Sequence, residues 1–349
     1  MRIGEKAFLY CYALKKVSLP STLQSIGDEA FAYDDNLETL LVAMTSPCAI
    51  DRSVFIIEEE VEGESVEVFS KANLYVPIGK KTVYASADVW KEFPVIYQGE
   101  LKETIVNGIT YTYVTGEEFA IVKKGDQTAL ENQDVVIPST ISVAGKTYNV
   151  KKIGDYAFSQ VYMNSLTIQP GVEEIGKGAF WNVYSIKQII IPSGVKFIGA
   201  EAFRYCYLLK TIELPASLKS IGEYAFGNLS YLESVVSYIT DPFDIADNVF
   251  GIVNGDVLTA PTVTLSVPAG TKGKYEATDG WKKFQTTTEM PAQTAVPGDV
   301  SGNGTVGPED LNLIVGYIMA GEYNDKADLN NDKNVNAADI VEYVKISKK

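Results

Sequence analysis

Apolar residues return along this chain in a fixed order. The stretch "IGEYAF" at Ile221 has close relatives at Ile3 ("IGEKAF"), Ile26 ("IGDEAF"), Ile153 ("IGDYAF"), Ile175 ("IGKGAF") and Ile198 ("IGAEAF"). From Ile3 to Ile26, and from Ile153 through Ile221, neighbouring copies lie 22 or 23 residues apart. A fixed period in this range predicts a solenoid, because one such unit cannot bury its apolar side except against the next. Aligned copies read I-G-x-x-A-F-x-x-C-x-x-L-K-x-I-x-L-P. The segments "LKTIELP" (209–215) and "IKQIIIP" (186–192) are rich in β-type residues and end in proline. Each predicts a short strand stopped by its proline and hydrogen-bonded into a parallel ladder. After Ile-Gly, "EYAF" has room for one helical turn, with glycine allowing a sharp bend and Ala-Phe plugging into the core. The expected fold class is therefore an α/β repeat solenoid with short parallel strands.

A larger duplication overlies the short repeat. Ile3 maps onto Ile198, Ile26 onto Ile221 and Pro47 onto Pro242, all at an offset of 195. Residues 73–93 ("NLYVPIGKKTVYASADVWKEF") then map onto 264–284 ("TLSVPAGTKGKYEATDGWKKF") at 191. The first copy carries an extra acidic loop over residues 57–68, which accounts for the lower offset. Two arrays thus end alike, each with a strand and a tryptophan-bearing segment (Trp90, Trp281) that covers the last exposed core face. Residues 105–154 alternate apolar and polar positions and turn at Asn107-Gly108 and Ala144-Gly145, which predicts a hairpin-rich meander capping the second array. The first array has no such cap and starts in mid-repeat, so further repeats and a secretion signal are expected upstream of Met1. The expected domains are array one (1–103), the meander cap (104–152), array two (153–290), a Thr/Pro/Ala linker (291–297) and a C-terminal domain (298–349).

In that last domain the composition changes. "DVSGNGTVGPEDL" (299–311) and "DLNNDKNVNAADI" (328–340) align residue for residue at an offset of 29. Each has the spacing of a twelve-residue calcium loop. Calcium is hard and takes six to eight oxygens, so alternate positions of a tight loop must supply them. In the first loop Asp299, Ser301 and Asn303 offer side-chain oxygens, Thr305 its backbone carbonyl, and Asp310 closes the shell. In the second, Asp328, Asn330, Asp332, the carbonyl of Asn334 and Asp339 take those roles. Two bound calcium ions are expected. Lys333 stands where the first loop has its turn glycine, Gly304. Val306 and Val335 sit where two such loops touch through short backbone pairing. Leu311, Ile314, Val315 and Ile318 follow at helical spacing.

Composition narrows the chemistry further. The 349 residues carry a net charge of −15, which argues against a nucleic-acid partner. No apolar run reaches the ~18 residues a membrane span requires. There is no histidine, which excludes a Ser-His-Asp triad, a Cys-His dyad and a His-ligated zinc site. The three cysteines form no disulfide framework; Cys11 and Cys206 share one repeat position and read as small buried hydrophobes. No Asp or Glu pair stands apart from the repeats as a glycosidase pair would, so no enzyme is expected.

The I-G-x-x-A-F, C-x-x-L and I-x-L-P pattern resembles the BspA-like leucine-rich repeat of bacterial surface proteins, over most of residues 1–290. That resemblance implies a right-handed superhelix and binding at the cell surface. The paired loops resemble a type I dockerin, a small all-α calcium-loop domain that docks onto a cohesin of another protein. Positions ten and eleven of the loops, often Ser-Thr in cellulosomal dockerins, read Pro308-Glu309 and Ala337-Ala338 here. Together the resemblances imply a secreted or surface-displayed adhesion protein, its solenoid binding a protein or glycan and its dockerin tethered to a cohesin-like partner. The alternative is an accessory subunit of a glycan-degrading assembly, or an enzyme acting on polysaccharide. Outward strand positions (Lys16, Ser18; Gln188, Ile190; Thr211, Glu213) vary between repeats and are the expected binding face. The 21 tyrosines, among them Tyr205 and Tyr207, suit protein or glycan contact or simply clothe the coil.

Overall fold

The computed structural model describes residues 1–349 apart from 62, 255–256, 260–262, 292–297, 301–305, 321–323, 325, 331 and 349. The chain divides into two compact units, Met1–Thr104 with Thr112–Phe119, and Ile105–Tyr111 with Ala120–Lys349. Strands dominate both. The α-helices of the described residues are α1 (Lys81–Ala85), α2 (Lys272–Ala277), α3 (Pro308–Ala320) and α4 (Ala337–Ile346).

In the first unit the strands Lys16–Leu19, Thr39–Val42, Asn73–Val76 and Val95–Gln98 form a parallel ladder. In the second, Gln188–Ile190, Thr211–Leu214, Ser234–Ser237, Thr264–Val267 and Thr286–Glu289 do the same. Register follows the repeat: Ile189 faces Ile212, which faces Val235. A second ladder joins Ile153, Ile175, Ile198 and Ile221, the isoleucines of the recurring phrase. The strand Lys146–Ile153 makes the first rung of that ladder and also pairs antiparallel with Thr140–Val143. The turns expected at Asn107-Gly108 and Ala144-Gly145 both have positive φ at their two central residues, the requirement of a tight type I′ hairpin.

The cores are columns of like residues. Phe158, Phe180, Phe203, Phe226 and Phe250 stack with ring centroids 5.1–5.3 Å apart and planes within 9° of parallel. That spacing is close to the ~4.8 Å between neighbouring strands, so one ring is delivered per coil. Each buried ring contributes roughly 2–3 kcal/mol of transfer free energy. Trp281 lies 5.9 Å beyond Phe250 and is fully buried, its Nε1–H donating to the Phe243 carbonyl at 2.8 Å. In the first unit Phe8, Phe31 and Phe55 stack in the same way, and Trp90 donates to the Cys48 carbonyl, also at 2.8 Å. Tyr84 donates to the Met44 carbonyl and Tyr275 to that of Ile239, completing the match.

Four expectations are corrected. The "EYAF" segments are turns and not helices. Each coil has two residues with positive φ, one before Ala-Phe (Lys6, Glu29, Tyr156, Gly178, Glu201, Tyr224) and one after it (Tyr10, Tyr33, Gln160, Asn182, Tyr205, Asn228). A right-handed helix cannot propagate through such positions. The glycine of Ile-Gly has a different task from bending the chain. A Cβ on Gly199 or Gly222 would overlap the backbone of Lys177 or Ala200 in the preceding coil, so glycine lets successive coils close to ladder distance. The acidic loop is an antiparallel hairpin, Ile56–Val61 with Glu64–Phe69, placing Glu58 directly opposite Glu67. Cys206 is fully buried as expected, whereas Cys11 is only half-buried.

Candidate metal centre

The C-terminal loops sit on a small apolar cluster. Val300, Ile314, Ala327 and Tyr343 are buried in it, and Val306, Leu311, Ile318, Val335 and Ile340 pack around them. No strand forms at Val306 or Val335; both contribute side chains to the cluster instead. Helix α4 begins with a reciprocal cap. The Asn336 side chain accepts from the Ala338 amide, and the Asp339 carboxylate accepts from the Asn336 amide at 2.8 Å. Helix α3 repeats the second half of that device, Asp310 Oδ2 accepting from the Gly307 amide at 2.7 Å. Gly307 and Asn336 are 29 residues apart, as are Asp310 and Asp339, so the two motif copies share this hydrogen bond. Tyr343 of α4 donates to the Gly307 carbonyl at 2.6 Å and ties one half of the domain to the other. Neither Asn336 nor Tyr343 was singled out by the sequence; Asn336 is position nine of its loop, immediately before the helix, where asparagine is a favoured cap.

In the second loop the expected ligands line one turn of chain. Asp328 is 5% exposed and Asp339 fully buried. Asp328 accepts from the amides of Asp332 (3.0 Å) and Lys333 (2.9 Å). Asp339 Oδ1 accepts from the Leu329 amide at 2.8 Å and the Asn330 amide at 3.3 Å. Asp332 accepts from the amide of Asn334, whose bond is the main reason its carboxyl lies below the usual range. Asn330 donates its side-chain amide to Asp332 at 3.1 Å. Lys333 takes φ +64°, a left-handed conformation that glycine adopts without steric cost. The turn is made despite the lysine, and the Lys333 N–H is thereby aimed at Asp328.

In the first loop Asp299 and Asp310 are buried, 8% and 0% exposed. The calls on Ser301, Asn303 and Thr305 lie outside the described residues. Among the described residues no three Asp, Glu, Cys or His side chains converge at metal-holding distance. The donor set still fits a hard cation. Every candidate atom is oxygen, and two carboxylates per loop are held away from water beside an apolar cluster, where a countercharge is needed.

Of the expected outward strand positions, Lys16 and Ser18 belong to the first unit and the others to the second. Gln188, Ile190 and Glu213 line one wall of a cavity of about 1000 Å³ whose other wall includes Leu313 and Tyr317 of α3. Among the described residues no helix is long and apolar enough to cross a membrane.

Residues 1–60 and 139–251 match the BspA type leucine rich repeat region in six copies. Residues 297–345 match the dockerin type I domain. None of the curated proteins matches. Similar solved structures include a leucine-rich repeat protein from Bacteroides capillosus, at 24% identity over 39% of this chain and 97% of that one, with a TM-score of 0.36. The pneumococcal vaccine antigen PcpA is 15% identical over 84% of this chain and 71% of its own, with a TM-score of 0.40. A leucine-rich repeat protein from Eubacterium ventriosum is 19% identical over the same shares, with a TM-score of 0.33. A recurring Ile-Gly-x-x-Ala-Phe core and a twinned C-terminal loop motif, each matched by its own family model, make this a BspA-type leucine-rich-repeat protein that carries a type I dockerin domain.

Proposed function

We propose that this chain is an extracellular or surface-displayed binding protein, with two repeat arrays (1–103 and 153–290) separated by the meander cap (104–152). Its repeats meet a protein or glycan ligand, and residues 298–349, an all-α domain closed by two calcium ions, tether it to a cohesin-like partner. Both module types are non-catalytic ones. Type I dockerins generally bind calcium, and the proposed ligands are Asp299, Ser301, Asn303, Thr305 and Asp310 in one loop and Asp328, Asn330, Asp332, Asn334 and Asp339 in the other.

The observation that carries the reading is the second loop. Lys333 accepts a left-handed backbone, and buried Asp328 and Asp339 take backbone amides from the turn between them. That is the arrangement of a loop built to gather oxygens. Bound calcium would place a positive charge beside these buried carboxylates. Calorimetry of the full chain with calcium and with EDTA tests the reading. A C-terminal transition that rises with calcium, and falls away in Asp339→Ala, is expected. A transition indifferent to calcium removes the metal from the proposal. A pull-down with immobilised cohesin, run with calcium and with EDTA, tests the tether.

A further inference from the structure

A second concavity lies on the turn side of the second unit. Its volume is about 410 Å³, and Lys124, which donates to Ser159, lies at one side of it. The rest of the lining, Tyr156, Gln160, Trp181, Glu201, Arg204 and Tyr205, comes from three successive coils, those beginning at Ile153, Ile175 and Ile198. Gly178 helps to create the space. Lys6, Glu29, Glu201 and Tyr224 occupy that position in other coils, whereas glycine there lets the Tyr156 ring lie over the neighbouring backbone. A Cβ on Gly178 would overlap that ring.

The lining has two chemical characters. Trp181 and Tyr205 meet edge to face, 6.0 Å between centroids and 82° between planes, and Tyr156 is 36% exposed beside them. The Arg204 guanidinium is sandwiched, 4.8 Å from the Tyr205 ring and 4.4 Å from that of Tyr224. Its Nη1 donates to Glu201 at 2.5 Å, while its buried Nε–H has no partner among the described residues. Arg204 and Glu201 are therefore fixed in place before any ligand arrives, with donor capacity left over. Gln160 adds an exposed amide at the rim.

We propose that this concavity binds a pyranose oligosaccharide. This rests on the reading of the repeats as a binding surface and assigns that surface a site and a ligand class. A pyranose ring has an apolar C–H face, which packs on an aromatic plane, and a hydroxyl edge, which needs paired donors and acceptors such as arginine, glutamate and an amide. The advance of one coil, ~4.8 Å, is comparable to that of one sugar in an extended glycan. A pocket of this size and concavity suits a small ligand. A protein partner would need a broad face of about 800 Å².

Trp181 also supplies the assay. The other tryptophans, Trp90 and Trp281, are buried, so Trp181 alone of the three meets added ligand. The labelled full chain is applied to a printed array of neutral and acidic pyranose oligosaccharides, with deglycosylated matrix proteins as comparison; wild-type binding of each captured sugar is titrated by tryptophan fluorescence, and the variants are compared with wild type by titrating the labelled chains on the array. At least one oligosaccharide series should bind and change the emission saturably. Trp181→Ala, with its melting curve unchanged, should weaken binding about tenfold, as the loss of one aromatic contact predicts, and Gly178→Glu should weaken it by displacing the Tyr156 ring. Trp181→Phe, which keeps a ring and serves if the glutamate variant fails to fold, should retain most of the affinity. Glycan binding that both substitutions leave intact overturns this site and spares the surface-binding reading. Matrix-protein capture without glycan binding overturns the ligand class alone. Capture of neither overturns both.

Discussion

Asp34 offers a sharp test of the packing argument. It occupies the repeat position held elsewhere by Cys11, Val161, Val183, Cys206 and Leu229. The structure buries it to 1% exposure; one carboxylate oxygen accepts from the Cys11 amide at 2.7 Å, and the other has no partner among the described residues. Burial lifts its carboxyl to about 6, opposed by the Cys11 hydrogen bond and helped by nearby Asp35. An unfolded aspartate titrates near ~3.9, so the shift is about two pH units, or roughly 3 kcal/mol. The folded state binds the extra proton between these values. The stability this group contributes is thus fully present below about pH 4 and lost as pH rises through about 6. Asp34→Asn keeps an acceptor for Cys11 and cannot titrate. Hydrogen exchange of peptides covering residues 26–55, compared between wild type and variant at matched pH, cancels the intrinsic exchange rate. The variant's protection relative to wild type should grow by on the order of a hundredfold from pH 4 to pH 8. A wild-type to variant difference that does not move with pH would refute the claim that a lone buried carboxylate sits in this core.

Phe203→Ala removes one ring from the middle of a column and should cost about 3–5 kcal/mol in the second unit, read by thermal unfolding of the full chain. Gly199→Ala should destabilise strongly by forcing two coils apart. Gly273→Ala, in helix α2 with nothing near its added Cβ, should be neutral or stabilise by up to ~1 kcal/mol. Lys333→Gly should relieve a left-handed lysine costing about 1 kcal/mol and tighten calcium at the second loop severalfold in titration calorimetry. Equal affinity in the two proteins would show that the lysine backbone is unstrained.

The ladders, the phenylalanine columns and the tryptophan ends were legible because each copy of the repeat restates the same burial requirement. The twinned C-terminal loops were legible through their duplication at a fixed offset. The turn conformation was hidden, because Lys, Glu, Tyr and Gln all occupy the left-handed positions and none announces positive φ. Asn182 and Asn228 were the available hint, since asparagine tolerates that region. The role of the Ile-Gly glycine was misread because the contact that demands it comes from a neighbouring coil. The aromatic concavity escaped notice for a related reason: it depends on what Gly178 lacks, and its lining is gathered from separate phrases of the sequence. The burial of Asp34 was open to the repeat alignment, which sets it at the position of Cys206, but the sequence reading did not take it up.

The phenylalanine column also bears on how such a chain can change over generations. Every interior ring meets an identical ring above and below, so gaining or losing one whole coil leaves each new junction chemically familiar to the core. A feature assembled across three coils has no such tolerance. One inserted rung would separate Trp181 from Tyr205 by a further strand spacing and dissolve their contact. Copy number can therefore drift where the exterior is bland, while any working patch on that exterior pins the count beneath it.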